Sequence, residues 1–396
     1  MSIFTYVGSD NSAKIKVIGV GGAGGNAVNN MIDSNLQGVK FIVANTDAQA
    51  IDISKASVQL RIGEKLTGGL GAGADPNIGR EAAIENSDAI KNALEDSHMV
   101  FITAGFGGGT GTGATPVIAE ICKEIEALTV AVVTKPFSFE GKKRLKQAEE
   151  GIHMLKEVTD TVITVPNDRL RGLASKNATM IDMFKKADEV LLHSVRGITD
   201  LILMPGLVNL DFADVRTTMS KAGMAIIGIG IAQGENRATE AARKAVSHPL
   251  LEDVNIGTAK GVLMNITCTS DLTMDEMTEA SECICNEVGD DTEIIWGTVI
   301  DDTLENEMRV TVIATGISSE EEARFPHDLS RRGRVRDLTP MEMKSGQIDY
   351  DEPTFIRMRE SDEKTVGQDR IYRGVVNGED DFDTLDTPTF LRKKAD

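Results

Sequence analysis

The sequence predicts an α/β protein with a parallel-sheet domain, a long connecting helix, a second α+β domain and a disordered C-terminal tail. Three observations carry this. Apolar strand-like runs alternate with helical periods over residues 15–165, as in a parallel sheet with helices on both faces. Of 38 glycines, 19 lie in the first 113 residues, so loops that need close backbone approach are concentrated there. After Ile317 periodicity stops, and polar and charged clusters run to Asp396.

The elements follow in order. Ile15–Val20 reads as a strand, Gly21–Gly25 as a tight loop and Asn26–Asp33 as a helix. Phe41–Ala44 is a second strand, and Ile78–Leu94 has helical spacing. Met99–Ile102 is a buried strand that runs into Gly105–Gly113. Val117, Ile118, Ile121, Cys122 and Ile125 then repeat at helical spacing. Thr129–Val133 and Thr161–Val165 are further strands, with a helical stretch over Phe139–Leu155. A long helix spans Met180–Leu203 and stops at Pro205-Gly206. Beyond it, Ile226–Ile231, Val262–Cys268, Thr292–Val299 and Arg309–Ile313 read as strands and Asn236–Ser247 as a helix.

The chain has 396 residues and a formal charge of −20, from 42 basic and 62 acidic side chains. That charge argues against nucleic acid or an anionic membrane as a direct partner of the body. An anion held by backbone N–H groups remains compatible with it. Cys122, Cys268, Cys283 and Cys285 show no metal-ligand spacing and are expected to be reduced, buried thiols in a cytoplasmic protein. The first 14 residues have no signal-peptide core, and the longest apolar run, Ala222–Ala232, is too short to span a membrane. The five histidines are scattered, so no metal site is expected from side chains.

Two glycine-rich loops carry the chemistry. Gly19-Val20-Gly21-Gly22-Ala23-Gly24-Gly25-Asn26 lies between strand and helix, where N–H groups can face a phosphate, in the manner of a Rossmann-like unit. A nicotinamide-dependent dehydrogenase is the rival reading of this loop, with Asp47 near the distance of a ribose ligand. Gly105-Phe106-Gly107-Gly108-Gly109-Thr110-Gly111-Thr112-Gly113 is sharper: six of its nine residues are glycine, and two hydroxyls can add hydrogen bonds. Neither loop is a Walker A sequence. A third motif, Asn209, Asp211 and Asp214, opens a helix after the Pro-Gly stop. Acids there are good helix caps, yet capping needs only one of them.

Gly107–Gly113, then Asn209–Arg216, then Leu385–Asp396 resemble, in that order, the signatures of the tubulin/FtsZ family, on its bacterial cell-division side. The resemblance covers residues 12–317 and the last peptide. It implies a GTPase that forms head-to-tail filaments and builds the division ring at midcell, with GTP/GDP and Mg²⁺ as cofactors and the metal held mainly through phosphates and water. It implies that Gly21, Gly22, Ala23, Gly24, Gly25, Asn26, Gly105, Gly107, Gly108, Gly109, Thr110, Gly111, Thr112 and Gly113 surround the phosphates. Glu140 and Arg144 would contact ribose and phosphates, and Asn167 the ribose and base. Phe184 would pack on guanine beside a carboxylate, Asp188 being favoured and Glu189 the alternative. Asn209, Asp211 and Asp214 would enter the next subunit's pocket and position the attacking water. A GTP-binding scaffold without catalysis is a further alternative.

The expected divisions are a flexible N-terminus (1–11), a GTP-binding domain (12–178), a connecting helix and catalytic loop (179–222), an α+β domain (223–317), a linker (318–384) and a partner-binding peptide (385–396). By the same resemblance, that peptide engages FtsA and ZipA-type membrane tethers. Its core recurs upstream: Asp351–Arg357 and Asp386–Arg392 share the form D-x-P-T-F-[I/L]-R.

Overall fold

In the computed structural model the described residues are 13–317, other than 174–177, 205, 209, 221–222, 252–255, 290–291, 302–303 and 305. The expected N-terminal segment, linker and terminal peptide lie outside them. The first part of the chain comprises β1 (Ile15–Val20), α1 (Gly21–Asp33), β2 (Val39–Asn45), α2 (Ala48–Asp52), β3 (Val58–Arg61), α3 (Glu64–Thr67), α4 (Pro76–Glu85) and α5 (Ser87–Leu94). It continues through β4 (Met99–Gly105), α6 (Thr110–Glu124), β5 (Leu128–Lys135), α7 (Lys142–Val158), β6 (Thr161–Pro166), α8 (Asn167–Leu170) and α9 (Met180–Leu203). Then come α10 (Phe212–Met219), β7 (Gly223–Gln233), α11 (Arg237–Val246), β8 (Gly261–Cys268), α12 (Met274–Cys285), β9 (Glu293–Ile300) and β10 (Glu307–Ile317).

These ten strands form one sheet in the order β3-β2-β1-β4-β5-β6-β7-β10-β8-β9. Pairing is parallel except where β10 lies antiparallel between β7 and β8. The join between the two expected domains is thus a strand pair, Thr161 of β6 opposite Gly223 of β7. Both faces of the sheet are covered. On β4, Met99 and Phe101 belong to one buried apolar cluster with α1 and α9, while Val100, Ile102 and Ala104 belong to another with α4, α5, α6 and α7. A strand buried on both sides is largely apolar, which is why β1 and β4 read as mostly apolar runs; the exceptions are Thr103 on β4 and Lys16 on β1, whose ammonium donates to the Ala93 carbonyl at 3.0 Å.

The topology fixes where a ligand goes. β1 pairs with β2 on one side and β4 on the other, with Val20 opposite Ala44 and Ala104. The chain winds outward from β1 in both directions, so a crevice opens beyond the carboxyl ends of β1 and β4. Both glycine stretches begin at those ends.

α9 returns along the sheet from that crevice. Thr179 caps it: its hydroxyl accepts from the Asp182 N–H, and the Asp182 carboxylate accepts from the Thr179 N–H. With 24 residues, it rises about 36 Å. α10 therefore sits at the opposite end of the strands. The Phe212 ring lies 6.2 Å from that of His98, just before β4, and the Met219 carbonyl accepts from the Thr161 hydroxyl at the start of β6.

The structure corrects several expectations. Gly21–Gly25 is the first turn of α1 and not a loop. Within that turn Gly24 has to be glycine, because a Cβ there would lie 2.4 Å from the Thr103 carbonyl oxygen of β4. The expected helix over 78–94 breaks at Asn86, whose side chain turns away to accept from the Gly63 N–H. Only Cys122 and Cys268 are buried; Cys283 is half-buried and Cys285 exposed on α12.

Candidate functional site

A cavity of about 320 Å³ fills the crevice beyond β1 and β4. Two helices point their N-termini at it. α1 begins at Gly21 and α6 at Thr110; neither has a side-chain cap or an acidic residue in its first turn. The first N–H groups of a helix have no partner within it and carry partial positive charge. Two uncapped ends meeting at one cavity make an anion site. They are in direct contact, since a Cβ on Gly21 would lie 3.0 Å from the Gly111 nitrogen.

The glycines divide by role. Gly22 and Gly108 line the cavity, and a Cβ on either would meet no atom within 4 Å, so their backbone is open to whatever enters it. Gly21, Ala23, Gly105, Gly109, Thr110 and Gly111 also line it. Gly24, Gly25, Asn26, Gly107, Thr112 and Gly113 do not. Gly24 and Gly113 serve packing: a Cβ on Gly113 would fall 1.8 Å from the Pro76 carbonyl oxygen. Gly107 takes φ +93°, and its N–H donates to the Thr112 hydroxyl oxygen at 2.9 Å. Thr112 thus shapes the loop from outside the cavity. Gly25 is half-buried and Asn26 exposed on α1.

The other end of the cavity suits a flat polar base. Phe184, on the first turns of α9, is 41% exposed and meets Phe137 edge-on at 5.6 Å; Phe137 stacks on Phe139 at 5.1 Å. Asn167 opens α8 and is buried, with its amide oxygen unpartnered. A buried orphan acceptor aimed at a cavity calls for a ligand donor. Asp188 follows Phe184 by one turn. It makes no hydrogen bond or ion pair among the described residues, and burial pushes its carboxyl up to about 7. Glu189 faces away and pairs with Lys186 at 2.5 Å. Arg144 is the cation lining the cavity. It pairs with Glu140 at 2.6 Å, and Glu140 also accepts from the Phe137 N–H.

Phe106, Thr134, Pro136, Ala187 and Leu191 also line the cavity and were missed from the sequence. The signal for Thr134 was available: it lies near the carboxyl end of β5, beside the crevice. Asp211 and Asp214 lie elsewhere. Both are exposed at the start of α10, and Asp211 caps it, accepting from the Ala213 N–H at 3.3 Å. Asn209 falls outside the described residues. Among the described residues no group of three His, Cys, Asp or Glu could hold a metal ion. The phosphate end offers N–H groups and hydroxyls, so a Mg²⁺ here fits only as an ion carried on phosphates and water.

An α/β sheet with an anion cradle at its switch point and a base slot beside it defines a nucleotide-binding protein. The family is settled by comparison. The GTPase-domain profile of the tubulin/FtsZ family matches residues 14–175, and the C-terminal-domain profile of the FtsZ family matches 223–318. The cell division protein FtsZ of Coxiella burnetii is 48% identical over 390 residues, 97% of each chain. That of Pseudomonas aeruginosa is 46% identical over 390 residues, 97% of this chain and 98% of its own. Among solved structures, an empty FtsZ dimer from M. jannaschii superposes with a TM-score of 0.75 and 48% identity, covering 78% of this chain and 89% of that one. The chain belongs to the FtsZ family of tubulin-like GTPases. The dehydrogenase alternative falls with this finding, and Asp47 is a helix cap, accepting from the Gln49 N–H at 2.9 Å.

Proposed function

We propose that the cavity binds GTP with its phosphates on the N-termini of α1 and α6 and its guanine between Phe184 and Asp188, and that the next subunit completes the catalytic site. The chain is a GTPase of cell division that self-assembles into filaments. In the proposed cycle, N–H groups of the cavity-lining residues Gly21–Ala23 and Gly108–Gly111 hold the phosphates, helped by the Thr110 hydroxyl. Arg144 leaves Glu140 for phosphate, and Glu140 and Asn167 take the ribose edge. Ionised Asp188 accepts from guanine N1–H and the 2-amino group, a donor pair that adenine lacks. Bound Mg²⁺ neutralises phosphate charge.

The observation that carries the shared site is distance. Asp211 and Asp214 are exposed beyond the far end of α9, and Leu191, the last residue of that helix to line the cavity, lies 12 residues, about 18 Å, before its end at Leu203. Within one subunit they cannot reach a γ-phosphate. Head-to-tail stacking brings this end of one copy onto the crevice of the next, a contact that repeats without closing and so gives a filament. Asn209, Asp211 and Asp214 of the upper copy then orient the attacking water, and positioning of this kind supplies most of the catalysis in phosphoryl transfer. The functional units of this cycle are residues 12–178, 179–222 and 223–317. GTPase rate per subunit, measured against protein concentration, tests the reading. It should rise steeply above a threshold; a rate per subunit independent of concentration would refute a shared site.

The terminal peptide, 385–396, is proposed to anchor the filament to membrane tethers of the FtsA and ZipA type, which would place it in the midcell ring. No described helix is long and apolar enough to cross a membrane. Phe390 and Leu391 would enter an apolar groove, with Arg392, Lys393 and Lys394 against acidic surface. Tether binding by the full chain should be largely lost in Phe390→Ala.

A further inference from the structure

Glu140 sits on a single turn of 3₁₀ helix, Ser138–Glu140, between β5 and α7. Its carboxylate accepts from the Phe137 N–H at 2.9 Å and from Arg144 at 2.6 Å. Gly141 joins the turn to α7 at φ +103°, and a Cβ there would meet nothing within 4 Å. Glycine is present at 141 for its backbone freedom and not for space, so the turn can pivot there against α7. The other side of the turn is tied to the next strand. β5 and β6 run side by side with Lys135 opposite Pro166, so the turn leaves the sheet next to α8. From α8 the Asp168 carboxylate accepts from the Ser138 N–H, 3.1 Å from each oxygen, and from the Ser138 hydroxyl at 3.2 Å. Asp168 is exposed and does not line the cavity, yet it directly follows Asn167, which does.

We propose that Asp168 is a positioning residue for recognition of the sugar: it holds the Ser138–Glu140 turn so that Glu140 stays at the ribose beside Asn167 once nucleotide has drawn Arg144 away. This rests on the reading that Glu140 and Asn167 take the ribose edge and Arg144 a phosphate. With the cavity empty, the turn has two tethers from outside it, Arg144 on α7 and Asp168 on α8. Phosphate takes the first. Phe137 is buried and fixes where the turn begins, and the peptide between Phe137 and Ser138 sets its direction. Asp168 holds the N–H of that planar group, and its carbonyl oxygen accepts from the Glu140 N–H at 2.9 Å. The orientation of one peptide plane thus passes from Asp168 to Glu140. A carboxylate so placed accepts from a ribose hydroxyl in a charge-assisted hydrogen bond, which a deoxy sugar cannot offer at that position.

The test is equilibrium binding of GTP, 2′-deoxy-GTP and 3′-deoxy-GTP to the full chain, kept below its assembly concentration, with the melting temperature read alongside. The wild type should prefer GTP over at least one deoxy nucleotide by roughly ten-fold. Asp168→Ala should weaken GTP binding by about five-fold and keep affinity for that deoxy nucleotide within about two-fold, so most of the preference is lost. Its melting temperature should move by less than about 2 °C, because the hydrogen bonds removed are exposed. Asp168→Asn keeps an acceptor for the Ser138 N–H and should restore the preference. A preference unchanged in Asp168→Ala, or affinity for all three nucleotides lost in equal measure, would reduce Asp168 to a structural residue and overturn the proposal. A wild type that binds the three nucleotides alike would instead overturn the placing of Glu140 and Asn167 on the ribose.

Discussion

The two ends of the parallel strands are chemically opposite. At the carboxyl ends lie two uncapped helix N-termini, an orphan amide oxygen, one cation and an unpaired carboxyl, gathered around a cavity. At the amino ends, α10 has its N-terminus capped by Asp211 and offers Asp211 and Asp214 to solvent. One end can hold an anion, and of the carboxylates that line it Glu140 is paired with Arg144 while Asp188 sits beside Phe184 at the base end. The other has carboxylates and no cradle. On the proposed reading the difference predicts that binding and turnover are separable in this chain, because each end lacks what the other would supply.

The sharpest way to break this comparison is at the amino end. Asp214→Ala should reduce GTP turnover by roughly 100-fold or more, the effect of removing one group that acts mainly in the transition state. GTP affinity of the isolated subunit should stay unchanged, as measured by equilibrium binding. Mixed with wild type, the variant should depress activity beyond simple dilution. Binding lost in step with turnover would put the acid in its own subunit's pocket.

At the carboxyl end the expected effect is smaller and falls on affinity. Asp188→Ala should weaken GTP binding by about 1–3 kcal/mol, the range for charge-assisted hydrogen bonds. Discrimination against ATP should shrink by the same amount. An unaltered preference between the two nucleotides would move the base contact off Asp188.

How legible all this is in the sequence follows from the same physics. β1, β4, β5 and β6 are visible because central parallel strands are apolar on both faces. β3 is hidden: it is a four-residue edge strand that alternates half-buried and exposed positions. α12 carries a readable signal, Thr273 at its N-cap and Glu276 three residues on in a reciprocal capping box. The cavity residues are readable in large part because two glycine-rich stretches follow two strands that flank the switch point. What periodicity cannot supply is the division of labour among glycines. Whether a missing Cβ faces a ligand or a carbonyl depends on neighbours far away in the chain, such as Thr103 behind Gly24.

That division gives a paired test of the cradle. Gly24→Ala drives a methyl toward the Thr103 carbonyl oxygen at 2.4 Å and should cost about 1–3 kcal/mol of stability in denaturant titrations. Gly22→Ala meets nothing within 4 Å and should leave stability within about 0.5 kcal/mol. Its methyl enters the cradle, so GTP affinity should fall. Equal losses of stability in the two variants would mean that α1 tolerates bulk alike on its packed and open sides.

The gentlest probe is pH, and it acts on one proton at the carboxyl end. Burial raises the Asp188 carboxyl from its ordinary 3.8 to about 7 in the folded, nucleotide-free protein. Between roughly pH 4 and 7 the folded state keeps this proton while the unfolded chain has lost it. Raising pH through that window therefore favours unfolding, by at most about 1.4 kcal/mol per pH unit from this group. The stability it contributes is fully present below pH 4 and gone above 7. Guanine binding has the opposite sign. The base contact needs the carboxylate, so binding below pH 7 must expel the proton, and GTP affinity should fall by up to about ten-fold per pH unit of acidification. Asp188→Asn removes both dependences at once. Calorimetry in two buffers of different ionisation enthalpy reads the proton directly: near pH 6 the wild type should release about one proton per GTP bound, and the variant none from this site. Equal release by both would assign the proton to another group, with the binding face of the molecule already charged before nucleotide arrives.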